Sequence, residues 1–128
     1  MADTDNITFD RYIGVQYEDT DDGGYAYIDI QPHHCNPTGN INGGVIISIA
    51  DNLSTGAAGH AYAEKFGEQK FMVGVDLHVV MLANQLGGRI RAVSEPVRVG
   101  RRITVVRTRV LGDGDRLLAE VTTTHVPT

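Results

Sequence analysis

His34-Cys35-Asn36-Pro37-Thr38-Gly39-Asn40-Ile41-Asn42-Gly43-Gly44, with the apolar run that follows it, decides how this chain folds. The stretch is dense in Asn, Pro, Thr and Gly, residues that turn a chain. From about Gly43 to Glu64 the pattern becomes that of one helix, roughly 33 Å long at 1.5 Å per residue. Val45, Ile46, Ile47, Ile49, Ala50, Leu53, Ala57, Ala58 and Ala61 fill an arc of roughly 220°, wider than the stripe of an ordinary surface helix. Such an arc predicts a covering sheet and a second contact on the flank. The polar arc holds Ser48, Asp51, Asn52, Thr55 and Tyr62, with Asp51 at its edge beside Ile47 and Ala58.

The start of the helix carries chemistry. Gly43 and Gly44 leave bare backbone N–H groups at a positive helix end, suited to an anion or a polarised carbonyl oxygen. Asp51 lies about two turns further in. A donor for an oxyanion and a carboxylate to activate a nucleophile are the two parts that acyl transfer needs. Spacing alone is better explained by glycines that serve the turn and a solvated Asp51.

The residues of this stretch also resemble a family. His34-x-Asn36-x-x-Gly39-x-x-Asn42-Gly43-Gly44, with Ala50-Asp51 following on the helix, is similar to the motif of hotdog-fold acyl-CoA thioesterases of the phenylacetic-acid-pathway (PaaI-like) type. The resemblance covers about residues 10–126. It implies that Asp51 acts as general base or nucleophile, that the Gly43 N–H polarises the thioester carbonyl, and that Asn36 orients water or thioester. It implies substrate contacts from Asn42, Gly44 and His34, and coenzyme A phosphates near the Arg101-Arg102 turn. It further implies a homodimer with a shared site, Asp51 of one chain facing Asn36 and Gly43 of the other, and pairing to a tetramer. Two positions depart from the family pattern. Asn42 stands where the family has His, and Gly74 stands where many relatives have Ser or Thr. A non-catalytic hotdog protein that binds acyl-CoA is the alternative reading.

Composition bounds the rest. A chain of 128 residues with 41% hydrophobic content makes one domain with a sufficient core. A net charge of −5 argues against non-specific nucleic-acid binding. No apolar stretch reaches the roughly 18 residues of a membrane helix, and residues 1–6 are acidic, polar and expected to be disordered. With one cysteine, Cys35, no intrachain disulfide forms. A cytoplasmic protein without membrane or nucleic-acid partners is the expectation.

Along the chain, Ile7–Tyr12 predicts a short helix capped by Asn6 or Thr8, and Ile13–Glu18 a short strand or irregular segment. Asp19–Gly24 is a turn signal that lacks the spacing of a calcium loop. A strand follows, with Ala26, Ile28 and Ile30 on its apolar face. After the helix, Lys65–Lys70 reads as a loop and Phe71–Leu82 as a strand. Its Val75, Leu77, Val79 and Met81 share one face, opposite Asp76 and His78. Arg89–Val99 is a strand bulged at Pro96, and Val99-Gly100-Arg101 a turn. Arg102–Leu111 alternates Thr104, Val106, Thr108 and Val110 against Ile103, Val105, Arg107 and Arg109. Gly112–Asp115 is a hairpin turn and Arg116–Val126 closes the sheet. One long helix between a first strand and a four-strand meander is an α+β fold of five to six strands. His33-His34-Cys35 has no second His/Cys pair at zinc-ligand spacing, so neither metal nor cofactor is expected.

Overall fold

The computed structural model describes residues 7–20 and 23–128. The disorder expected of residues 1–6, the Asn6 cap and the centre of the Asp19–Gly24 turn lie outside those residues. The elements are α1 (Phe9–Tyr12), β1 (Gln16–Thr20), β2 (Gly23–Asp29), a 3-10 turn (Pro32–His34), α2 (Gly43–Phe66), β3 (Met72–Met81), β4 (Arg89–Val99), β5 (Thr104–Leu111), a second 3-10 turn (Asp113–Asp115) and β6 (Leu117–Pro127). The six strands form one antiparallel sheet in the order β1-β2-β4-β5-β6-β3. The expected α+β architecture, one long helix against a single sheet, is what the chain adopts.

Its topology corrects the four-strand meander. Only β4, β5 and β6 run as neighbours, while β3 pairs with β6 at the outer edge. The connection from β3 to β4 is what permits this. Asn84 bridges to Ile41 in both directions, its Oδ1 accepting from Ile41 N at 3.0 Å and its Nδ2 donating to Ile41 O at 2.9 Å. Gly87 and Gly88, at φ 70° and 77°, then turn the chain into β4. A tight hairpin would have set β3 beside β4.

α2 ends two residues later than expected, at Phe66, where Gly67 in the left-handed conformation (φ 71°) follows and its N–H caps Ala63 O. Its buried side chains are Ile46, Ile49, Ala50, Ser54, Ala58 and Tyr62, largely one i, i+4 row. The sheet therefore buries a narrower stripe than the apolar arc offers, and Val45, Leu53, Ala57 and Ala61 stay half-buried. Tyr62 is a correction to the polar arc. It is buried against Phe66, with ring centroids 4.8 Å apart, in a cluster with Met72 and Val106. The main core lies between α2 and the sheet, built on Ile28, Ile41, Ile46, Ile49, Ile90, Val110 and Leu118.

The alternation expected in β5 is observed, with Thr104, Val106, Thr108 and Val110 buried. The β4 irregularity falls between Pro96 and Arg98, as expected. In β3 the expected faces are corrected. The ladder shifts between Gly74 and Asp76 and leaves Val75 outside it. Met81, Val79 and Leu77 stand opposite three buried residues, Ala119, Val121 and Thr123. Past the shift, that row continues through Gly74 opposite His125, and not through Val75. A glycine thus faces the helix where uninterrupted alternation would have turned it outward.

Candidate active site between the long helix and the edge strand

Asn42 caps α2. Its Oδ1 accepts the Gly44 N–H at 2.7 Å, and its backbone O accepts Val45 N at 3.0 Å. A Cβ at position 44 would lie 2.9 Å from that same Oδ1, so the cap itself explains why residue 44 is glycine. The Gly43 N–H has no acceptor among the described residues. Of the two glycines, Gly43 is the one whose donor is left for a ligand. A side chain there would meet Met81 Cε at 3.2 Å.

The loop that leads into the helix is closed on itself. Cys35 bridges to Ile41, and Asn42 N donates to His34 O at 2.9 Å. His34 is buried. Its Nδ1 accepts from Gln31 N at 2.8 Å, which makes Nε2 the donor to Ile13 O at 2.7 Å. With both ring nitrogens engaged inside the chain, His34 holds the loop and presents no nitrogen to a ligand. Asn36 uses its Oδ1 on Thr38 N and Thr38 Oγ1, at 3.2 and 2.5 Å. Its Nδ2 donors have no acceptor among the described residues.

Asp51 is exposed and its carboxylate has no donor among the described residues, while its backbone O accepts from Ser54 Oγ and Thr55 Oγ1 at 3.0 Å each. It opens onto a cleft lined by Gly74, Val75, Asp76 and Leu77 of β3. The position a side chain at Gly74 would start from is 3.8 Å from Asp51 Oδ1 and 3.7 Å from His125 Nδ1. His125, on which the sequence carries no signal, is fully buried. Its Nε2 contacts Thr123 Oγ1 at 2.8 Å, and its Nδ1 has no partner among the described residues. Burial lowers its pKa, against the opposing pull of the Asp51 charge.

The remaining candidates are dispersed. The turn carrying Arg101 and Arg102 lies at the other end of α2 from Gly43, with the Arg101 guanidinium 4.5 Å from the centre of the Phe66 ring. Lys65 reaches Val99 O at 2.6 Å nearby, so a cationic group gathers there. His78 is exposed on β3, and Asp76 is exposed at the rim of the Asp51 cleft. Cys35 is half-buried, its Sγ 3.6 Å from Gln31 O. Among the described residues no three His, Cys, Asp or Glu side chains converge as a metal site would require. Nor is any described helix long and apolar enough to cross a membrane.

One helix carries both Gly43 and Asp51, eight residues or ~12 Å apart along its axis. Reacting atoms must come within about 3–3.5 Å of each other. A carbonyl held at Gly43 therefore cannot be served by Asp51 of the same chain. β3 is an edge strand with Val73, Val75, Leu77, Val80 and Met81 exposed, an open and apolar ladder of the kind another strand covers.

A long helix laid against one antiparallel sheet, with a glycine-started helix mouth and a carboxylate beside the edge strand, defines the hotdog class. Residues 38–119 match the model of the Thioesterase superfamily, and the chain belongs to that family. It is 28% identical over 114 residues to the candidate esterase Rv1847 of Mycobacterium tuberculosis, which spans 88% of this chain and 81% of that protein. The solved structure of the same protein superposes with a TM-score of 0.83 over 94% of this chain and 95% of that chain, at 23% identity. Thioesterase HI1161 of Haemophilus influenzae gives 0.86 over 96% and 84%, at 19% identity. The BH2602 protein of Bacillus halodurans, solved with CoA, gives 0.81 over 96% and 80%, at 21% identity.

Proposed function

We propose that this protein hydrolyses an acyl- or aroyl-CoA thioester to the free acid and coenzyme A, in a site shared by two copies of the chain. The observation that carries the reading is that, among the described residues, neither the Gly43 N–H nor the Asp51 carboxylate has a partner, each being one part that an acyl-transfer site needs. Joining β3 of one chain to β3 of a second is supported by its open edge and exposed apolar residues; in this reading each Asp51 faces the other chain's helix mouth. Further pairing to a tetramer is supported by the half-buried flank of α2.

In this reading the carbonyl oxygen of the thioester accepts from Gly43 N–H, and Asn36 Nδ2 donates to substrate or water. Asp51 acts as general base. It takes a proton from water as the water oxygen bonds to the carbonyl carbon. The tetrahedral intermediate collapses, the C–S bond breaks, and the thiolate recovers the proton from Asp51. The cationic group around Arg101 and Arg102 is a candidate for the CoA phosphates, which a guanidinium can hold in bidentate fashion. Placement in the phenylacetic-acid-pathway type rests on the motif from His34 to Asp51. Free-thiol release from a panel of aliphatic and aromatic CoA esters tests the reading. CoA binding without turnover on every ester would favour an acyl-CoA-binding protein instead.

A further inference from the structure

We propose that His125 is a positioning residue of the Asp51 site and holds the attacking water through the gap that Gly74 leaves in β3. The proposal rests on the hydrolase reading of that site. His125 is fully buried, so its ring was taken out of water at a cost that a hydrogen bond normally offsets. One ring nitrogen is anchored. Thr123 Oγ1 gives its own proton to Val106 O at 3.4 Å, which leaves that oxygen to accept from His125 Nε2 at 2.8 Å. The neutral ring therefore carries its proton on Nε2 and a lone pair on Nδ1. That lone pair has no partner among the described residues, and it faces the point from which a side chain at Gly74 would start. Asp51 Oδ1 reaches the same point from the other side.

A water in that gap has two O–H groups to give, one to the Asp51 carboxylate and one to His125 Nδ1. Its lone pair is then left for the carbonyl carbon. The proton still passes to Asp51, and His125 fixes the direction of attack. The shift of register at Val75 is what makes the gap possible, because it turns Gly74 to the helix side opposite His125. The groups facing His125 are Asp51 from α2, Gly74 from β3 and Thr104 from β5, with Asp76 at the cleft rim. Of these only the two carboxylates carry charge. Protonation of His125 converts the acceptor to a donor and removes the hold on the water, so activity falls on the acid side with the titration of His125.

The test uses the full chain and a CoA ester that the wild type turns over. His125→Asn, Gly74→Ser and the double variant are compared across pH 5–9 after their melting curves show them folded. His125→Asn is expected to lower kcat by about 10–100-fold, the scale of a misplaced reactant, with KM moved less than ~3-fold. It should also erase the acid limb due to His125. A Cβ at Gly74 makes ordinary contacts, so the hydroxyl that Gly74→Ser introduces enters the gap and restores at least ~10-fold in the double variant. A folded His125→Asn with wild-type kcat overturns the proposal, as does a loss with an unchanged pH profile and no rescue. A second readout is independent of turnover. The His125 ring, followed by NMR, should show Nε2 protonated, and Asp51→Asn should lower its pKa further. If the wild type hydrolyses no ester but this coupling is present, the hydrolase reading falls and the Asp51–His125 pair stands. If turnover is robust and the coupling is absent, the pair falls alone.

Discussion

Asn42 Oδ1 and the missing side chain of Gly44 compete for one place. The oxygen accepts the Gly44 N–H at 2.7 Å, and a Cβ at residue 44 would sit 2.9 Å from it. An N-cap is worth about 1 kcal/mol, and Ala in place of Gly within a helix up to ~1 kcal/mol in the opposite sense. Gly44→Ala should therefore change stability little. Asn42→Ala should cost about 1 kcal/mol in the native background and close to nothing when combined with Gly44→Ala. Urea unfolding of the native chain, the two single variants and the double variant checks this. Equal costs in both backgrounds would refute the competition.

Asn42 also stands where the PaaI-like motif that the sequence resembles carries His. In the proposed mechanism the oxyanion donor is the backbone of Gly43 and the acid is Asp51, and neither depends on the side chain at 42. Asn42→His should alter kcat/KM by less than about tenfold, under ~1.4 kcal/mol in barrier. It should add a pH dependence near 6–7, where an unperturbed imidazole titrates. pH–rate profiles of both proteins on one thioester decide it. A gain of several hundredfold would mean a degenerate native site and favour the binding-protein reading.

Asp51→Asn keeps the shape of the side chain and removes the proposed base. The exposed carboxylate makes no internal hydrogen bond among the described residues, so the melting temperature should hold. kcat should fall at least about a hundredfold. Near-normal turnover in the folded variant would take Asp51 out of the mechanism.

The edge of β3 should seat a second copy. Light scattering at micromolar concentration is expected to give at least a dimer. Val75→Lys with Val80→Lys, two exposed positions of that strand, should shift the protein toward monomer and lower kcat/KM in parallel. A monomer with full activity would contradict the shared site.

His125 makes stability depend on pH. Burial lowers its pKa in the folded chain, while the unfolded chain titrates near the ordinary 6.5. Between those values the unfolded state binds more protons, so stability rises with pH in that window. The contribution is complete above about 6.5 and is lost as pH falls through the folded value. Asp10 and Asp29, held below the usual carboxylate range by Thr8 and Arg89, act at more acid pH and do not confuse the window. The melting temperature should drop between pH 7 and 5 in the wild type and be flatter in His125→Gln.

The sequence by itself determined the α+β class, the extent of α2 to within two residues, the buried rows of β2 and β5, and the motif from His34 to Asp51. Each of these is a local matter. Periodicity sets which side chains share a face, a glycine in the left-handed region stops a helix, and an Asn side chain caps the next one. The position of β3 beside β6, the burial of Tyr62 and the juxtaposition of Gly74 with Asp51 were decided by tertiary structure. β3 could not be placed by pattern, since both possible neighbours offer it the same antiparallel ladder. One residue left outside that ladder at Val75 reverses which face every earlier residue shows. His125 was silent for the same reason. It lies 74 positions after Asp51, and only the packing of the sheet against α2 turns a lone histidine of a Thr-rich strand toward that carboxylate.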